Sequence, residues 1–324
     1  MRRKVALPLI AILAALACAV LVAACGDDNN DSNTTSGGDG KLIQSNAANS
    51  DVTITVGSKN FTEEFILGQI DAQALQAAGY TVKTDLNLGS EQIAFKALKN
   101  GNIDGYPEYT STALTSFFNV KPEDIPTDAN EAVDQAQSDF AKEGLVAFAP
   151  TPFTSANAVG MLKKRADQLG VRTVSDLEGK SQNLTLYGSP ECRQRVDCLV
   201  GLEQDYGLKF KKFVPVDIGL RYEVLDKGQA DLSIIFTTDA QLSTRKDIVV
   251  LEDDKKVFPP GNVIFVARKA TVDQAGADMQ KTIELVQQGL TEKVMRELNA
   301  RVDVDRETPK QVAQQYLRES GYIK

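Results

Sequence analysis

The 324-residue chain carries 36 Lys and Arg against 44 Asp and Glu, has no His and no Trp, and is 42% hydrophobic. That length and apolar share support about two domains with sizeable cores. The lack of His excludes Ser-His-Asp and Cys-His catalysis, His-ligated zinc and a histidine pH switch, and a net charge of −8 argues against a nucleic-acid partner.

Met1-Arg2-Arg3-Lys4 is a basic start, followed by an uncharged run from Val5 to Ala24. The run ends Val22-Ala23-Ala24-Cys25, ahead of the polar Gly26-Asp27-Asp28. Its length suits a permanent anchor helix, whereas small residues before a cut suit a secretory signal. The small-small-Cys ending resembles a bacterial lipoprotein signal. That resemblance implies removal of residues 1–24 and lipid on Cys25, hence an extracytoplasmic protein held at the cell membrane. Cys18 reads as a small apolar filler of the leader. Cleavage removes three basic groups and no acids, taking the net charge from −8 to −11. Such a surface is repelled by anionic lipid, so a covalent anchor would be needed to hold it there. Residues 25–50 are rich in Asp, Asn, Ser, Thr and Gly and read as a disordered tether, with a reach of roughly 25–30 Å.

The folded body begins near Asp51. Val52 to Val56 has the β-branched make-up of a strand. Gly57-Ser58-Lys59-Asn60-Phe61 reads as a loop, and Thr62 can cap a helix whose apolar side is Phe65, Ile66, Ile70, Ala74 and Ala78. Val82 to Leu88 is a second strand, and Ser90 to Lys99 a second helix stopped by Gly101. This alternation implies α/β layers. The segment Ala97-Leu98-Lys99-Asn100-Gly101-Asn102-Ile103-Asp104 is echoed by Val224-Leu225-Asp226-Lys227-Gly228-Gln229-Ala230-Asp231. In both, a helix end, a Gly and an Asp lead into an apolar strand, and the strands end in polar segments starting at Tyr109 and Phe236. Two similar lobes facing each other are expected. Pro150-Thr151-Pro152-Phe153 and Phe258-Pro259-Pro260-Gly261 suit the crossings between them. The first lobe is therefore drawn over 51–152 and 260–324, the second over 153–259. From Thr271 the chain is helical and returns to the first lobe, with Thr308-Pro309 as cap and first-turn residue of the last helix. Outside the cytoplasm Cys192 and Cys198 should be paired. So short a loop gains only about 2.4 kcal/mol of chain entropy, a local brace. A metal site is the rival, disfavoured by two thiols with no His and no second pair.

No catalytic constellation is evident. Ser58 and Lys59 are adjacent and should point apart, Glu63-Glu64 and Asp253-Asp254 read as solvated charges, and no phosphate loop or dinucleotide fingerprint is present. The chain reads as no enzyme, with no cofactor. Two α/β lobes suit a cleft that closes on a small molecule by hinge motion.

The residues then carry a family resemblance. Gly57-Ser58-Lys59-Asn60-Phe61-Thr62-Glu63, Asn87-Leu88-Gly89, Tyr106-Pro107-Glu108-Tyr109-Thr110, Gly219-Leu220-Arg221-Tyr222 and Val250-Leu251-Glu252-Asp253-Asp254, with the 97–104 segment, resemble the quaternary-amine class of ABC-importer substrate-binding proteins. The resemblance runs from about Val52 to the C-terminus. It implies a type II periplasmic-binding-protein fold, two mixed sheets flanked by helices with a ligand cleft between lobes. It also implies a monomer that delivers glycine betaine, carnitine or choline to a separate permease and ATPase. A trimethylammonium group is held by aromatic ring faces, and a ligand carboxylate by Lys, Arg, hydroxyls or a helix N-terminus. Carried over by motif, Tyr109 and Tyr222 would form the cage, and Lys59, Thr112 and Arg195 (or Arg193) would meet the carboxylate. Asn60, Phe61 and Thr238 complete the candidate set.

Two departures bear on the ligand. Asn157 stands where the family commonly has a cage Tyr, and Thr244-Arg245-Lys246-Asp247 lacks another. Half a cage implies weaker binding or a different small polar or cationic solute; a solute sensor uncoupled from transport is a separate alternative. A Glu91 carboxylate facing the cleft would replace lost ring contacts by pairing with a cation; its plainer reading is an exposed first-turn Glu favourable to the helix dipole. Tyr109 and Tyr222 also have a plainer reading as core tyrosines, Lys59 as a solvated loop lysine, and Arg195 as a surface partner of Glu191 or Asp197.

Overall fold

The computed structural model describes residues 41–324, so the leader and Cys25 lie outside the described residues. Eleven strands occur among the described residues, in chain order: β1 Thr53–Gly57, β2 Thr81–Asp85, β3 Gly105–Tyr109, β4 Leu145–Ala147, β5 Thr154–Ser155, β6 Asn157–Leu162, β7 Thr185–Gly188, β8 Lys212–Pro215, β9 Leu232–Phe236, β10 Ile248–Val250 and β11 Gly261–Arg268. They form two mixed sheets. The first runs β2-β1-β3-β11-β4 with β5 also on β11, and the second runs β8-β7-β9-β6-β10. Written this way the two orders match strand for strand. The first three strands of each are parallel and the next two join antiparallel.

The echo in the sequence has a shared structural job. The Asp104 carboxylate accepts the backbone N–H of Thr55 at 2.8 Å, while its own N–H donates to the Thr55 carbonyl at 2.7 Å. Asp231 does the same with Thr185, at 2.9 and 3.1 Å. Each then pairs with an arginine, Arg268 and Arg165 respectively. The aspartates fix where the third strand of each sheet begins, and so where it ends, at Tyr109 and Phe236.

Each sheet has its own apolar filling. Helix α1 (Thr62–Ala77) lays Ile66, Leu67 and Ile70 under the last helix, whose Val312 and Leu317 face it. Helix α2 (Glu91–Lys99) buries its Ala94, Ala97 and Leu98 with Phe140 and Tyr106 on another part of the first lobe. The second lobe closes on Val159, Met161, Leu186, Leu202 and Leu232. The chain passes to the second sheet at Ala156, between β5 and β6, and returns between β10 and β11. Thr308 caps the last helix in a reciprocal box with Gln311, with Pro309 in its first turn. Among the described residues no helix is long and apolar enough to cross a membrane.

The expected tether is too long at its C-terminal end. Residues 42–50 are ordered against the first lobe: Ile43 donates its N–H to Tyr322 and packs on two cores, and Asn46 and Asn49 both donate to the Ala78 carbonyl at the end of α1. Composition suggested disorder because the segment is polar. What orders it is hydrogen bonding to a helix terminus, whose carbonyls need partners, with one apolar anchor. The Glu63-Glu64 pair is also corrected: both side chains are buried.

Candidate functional site

The ends of β1, β3, β7 and β9 converge on one crevice between the lobes, about 690 Å³ counting its open mouth. On the first lobe, Gly57 ends β1 where a Cβ would lie 2.6 Å from Ile103, so the strand can approach its neighbour only without a side chain. Ser58 then fixes the loop, its Oγ accepting the N–H of Asn87 at 3.1 Å and its carbonyl the N–H of Leu88 at 3.0 Å. This delivers Lys59, Asn60 and Phe61 to the crevice wall, joined by Glu91 from the first turn of α2, Tyr109 from the end of β3, and Thr112. From the second lobe come Asn157 at the start of β6, Phe236 at the end of β9, and the loop after β7. Cys192 and Cys198 are disulfide-bonded across that loop, which presents Glu191, Arg195 and Asp197 to the cavity.

Three rings form a row that spans both lobes. Phe61 lies 6.2 Å from Tyr109 on its own lobe and 5.1 Å from Phe236 on the other, centroid to centroid. Tyr222 is not on this wall. It is 7% exposed and packs with Ala158, Leu225 and Ile235, and its hydroxyl donates to Asp239 at 2.8 Å. Its neighbour Arg221 does not line the crevice either; it pairs with Asp239 and stacks 4.3 Å over the Phe236 ring. Thr238 also lies off the lining; its hydroxyl bonds Ser155 at 2.9 Å and its carbonyl accepts from Asn299 at 3.0 Å. Phe236 was missed, although the echo between the two lobes set it opposite Tyr109.

The charges are more tightly paired than the sequence suggested. Lys59 is buried between Glu108 and Glu64, the latter at 3.4 Å, and its ammonium sits 4.5 Å from the Tyr109 ring centroid. Burial alone would lower its pKa, but Glu108 and Glu64 outweigh that and hold the ammonium above the usual lysine range. Arg195 is bound through two nitrogens to Asp197. It crosses the cleft to Thr112 at 3.3 Å, and it lies 3.7 Å from Glu91. Glu91 is buried, not an exposed first-turn residue. Burial pushes its carboxyl up, and Arg195 only partly opposes the shift. Asn157 donates its amide to the Asp197 carbonyl at 3.0 Å, so it braces the disulfide loop as well as lining the cleft. Among the described residues no cluster of three metal-ligating side chains occurs.

Known proteins show the same organisation. A family profile described as the substrate binding domain of ABC-type glycine betaine transport systems matches residues 52–319. The glycine-betaine-binding protein of Pseudomonas aeruginosa is 34% identical over 278 residues, 82% of this chain and 88% of that protein. The carnitine transport binding protein OpuCC of Listeria monocytogenes is 28% identical, over 84% of this chain and 88% of that one. A crystal structure titled as a glycine betaine/carnitine/choline ABC transporter superposes with a TM-score of 0.65 at 26% identity, covering 84% of this chain and all of that one. Proteins of this kind bind small solutes outside the cytoplasm, work with a permease and an ATPase, and catalyse no reaction. With two matched mixed sheets around one crevice, the chain belongs to the family of substrate-binding domains of ABC-type glycine betaine transport systems.

Proposed function

We propose that this protein captures a quaternary-ammonium osmoprotectant of the glycine betaine or choline type and delivers it to its permease, as a monomer anchored through lipid on Cys25. The observation that carries the reading is the row Tyr109, Phe61 and Phe236, contributed by both lobes and flanked by the carboxylates of Glu91 and Glu191. A trimethylammonium group donates no strong hydrogen bond. It is attracted to ring faces, with about 0.5–2 kcal/mol per ring depending on desolvation. Phe236 supplies the ring that the family pattern would have drawn from Tyr222. Contacts such as Arg195 to Thr112 hold the lobes around the guest. Calorimetry with glycine betaine, choline, carnitine and proline betaine tests the ligand class: heat with at least one of them supports it, and silence with all at millimolar concentration defeats it.

A second reading, a different small polar cation, draws on Asn157 standing in place of a ring and on the many hydroxyls of the wall, among them Ser111, Thr112 and Ser155. A polar cation bound more tightly than any quaternary amine would favour it.

A further inference from the structure

Seven carboxylates are buried in the described residues: Glu63, Glu64, Asp71, Glu91, Glu108, Asp197 and Asp239. Five of them have a Lys or Arg within 4 Å, supplied by Lys59, Arg195 and Arg221. Two do not. Asp71 lies two turns further along α1, away from the crevice. Glu63 lies directly behind the aromatic wall, in the first turn of α1. Its Oε1 accepts the Tyr109 hydroxyl at 2.6 Å, and its Oε2 accepts the Asn299 amide at 2.7 Å. Both oxygens are thus met by donors, which favours the ionised form against the burial that pushes this carboxyl up, and the N-terminal end of a helix favours negative charge there. The same Asn299 amide donates to the Thr238 carbonyl, two residues past Phe236. Glu63 therefore stands at the centre of a chain that runs from the ring of one lobe to the ring of the other.

A buried carboxylate without a cation is costly unless something repays it. Resting on the reading above, we infer that Glu63 is the positioning residue that makes this wall select a cation: it acts through the Tyr109 hydroxyl, and the bound quaternary ammonium is its missing counter-charge. The negative end of the hydrogen bond lies behind the ring, so it deepens the attraction of the wall for positive charge without touching the guest. A purely structural prop would support a neutral guest of the same shape equally well.

The test compares choline with 3,3-dimethyl-1-butanol, its uncharged carbon isostere, by calorimetry at pH 8 on the wild-type protein and on Glu63→Gln, which keeps the shape and can still accept a hydrogen bond. The expected result is choline weakened about tenfold, which is about 1.4 kcal/mol, with the isostere changed less than twofold. Equal loss for both ligands, or no loss for either, overturns the inference. Tyr109→Phe cuts the link from the other side and serves if Glu63→Gln does not fold; it should show the same selective loss, and an unchanged choline-to-isostere ratio counts against the inference. A wild-type protein that binds quaternary amines but prefers the neutral isostere overturns the inference alone, whereas one that binds none of them removes the reading beneath it as well.

Discussion

Replacing Phe236 by Leu keeps apolar bulk at the end of β9 and removes the ring face. Phe236 touches Phe61 at 5.1 Å and lies under Arg221 at 4.3 Å. The loss to a bound cation is one ring contact, about 0.5–2 kcal/mol, or roughly a 2- to 30-fold rise in Kd at 1.4 kcal/mol per tenfold. The matched control is Tyr222→Leu. It removes a ring that packs inside the second lobe, and it strips the 2.8 Å hydroxyl bond from Asp239. Leaving that buried carboxylate with one donor fewer costs about 1–3 kcal/mol of stability. Titration calorimetry and thermal melts on both variants should then separate them: Phe236→Leu loses affinity with a near-normal Tm, and Tyr222→Leu loses Tm with Kd within about twofold. The reverse pattern, affinity lost at Tyr222 and kept at Phe236, would refute the assignment of the wall.

Three further outcomes follow from the charges and the brace. Glu91→Gln should improve glycine betaine relative to choline, because it removes a negative charge 3.7 Å from Arg195, where a ligand carboxylate would seek its partner; a ratio of the two Kd values equal to wild type contradicts this. Burial pushes the Glu64 carboxyl up to about 8, against the pull of Lys59. The folded state then holds a proton between roughly pH 4.5 and 8 that the unfolded chain lacks, so stability falls as pH rises through that window. Melts should give a higher Tm at pH 5.5 than at pH 8.5, and Glu64→Gln should reduce the slope without abolishing it, because burial also pushes up the carboxyls of Glu63, Asp71 and Glu91; with no His in the chain, no imidazole can produce it. The double variant Cys192→Ser/Cys198→Ser should lose about 2.4 kcal/mol of stability by loop entropy and weaken binding as well, since the loop presents Arg195 and Asp197; denaturant titration and calorimetry together check both effects, and unchanged affinity would mean the loop holds its shape unaided.

What could be read from the sequence was mostly local. The alternation of strands and helices, the cap at Thr308, and the Gly-then-Asp corners at 101–104 and 228–231 depend on neighbouring residues, and these corners do open the third strand of each sheet. What could not be read was set by distant partners. Glu63-Glu64 looks solvated because a charged pair in a first helical turn usually is, and only the fold brings Lys59, Tyr109 and Asn299 around it. Lys59 reads as a free hand for a ligand carboxylate, but Glu108, 49 residues away, already holds it. Residues 42–50 have the composition of a tether, and nothing local reveals that Asn46 and Asn49 close the end of α1. Tyr222 was assigned by motif. The structural echo of Tyr109 is Phe236, which a comparison of strand ends, not motif matching, would have found.

A crystal structure of the purified protein grown with choline would test the central claim most directly. The account predicts the quaternary nitrogen within about 6 Å of the Phe61, Tyr109 and Phe236 ring centroids, with both lobes in contact with the ligand. Choline seated beside Tyr222 in an opened second lobe, or bound by one lobe alone, would contradict it.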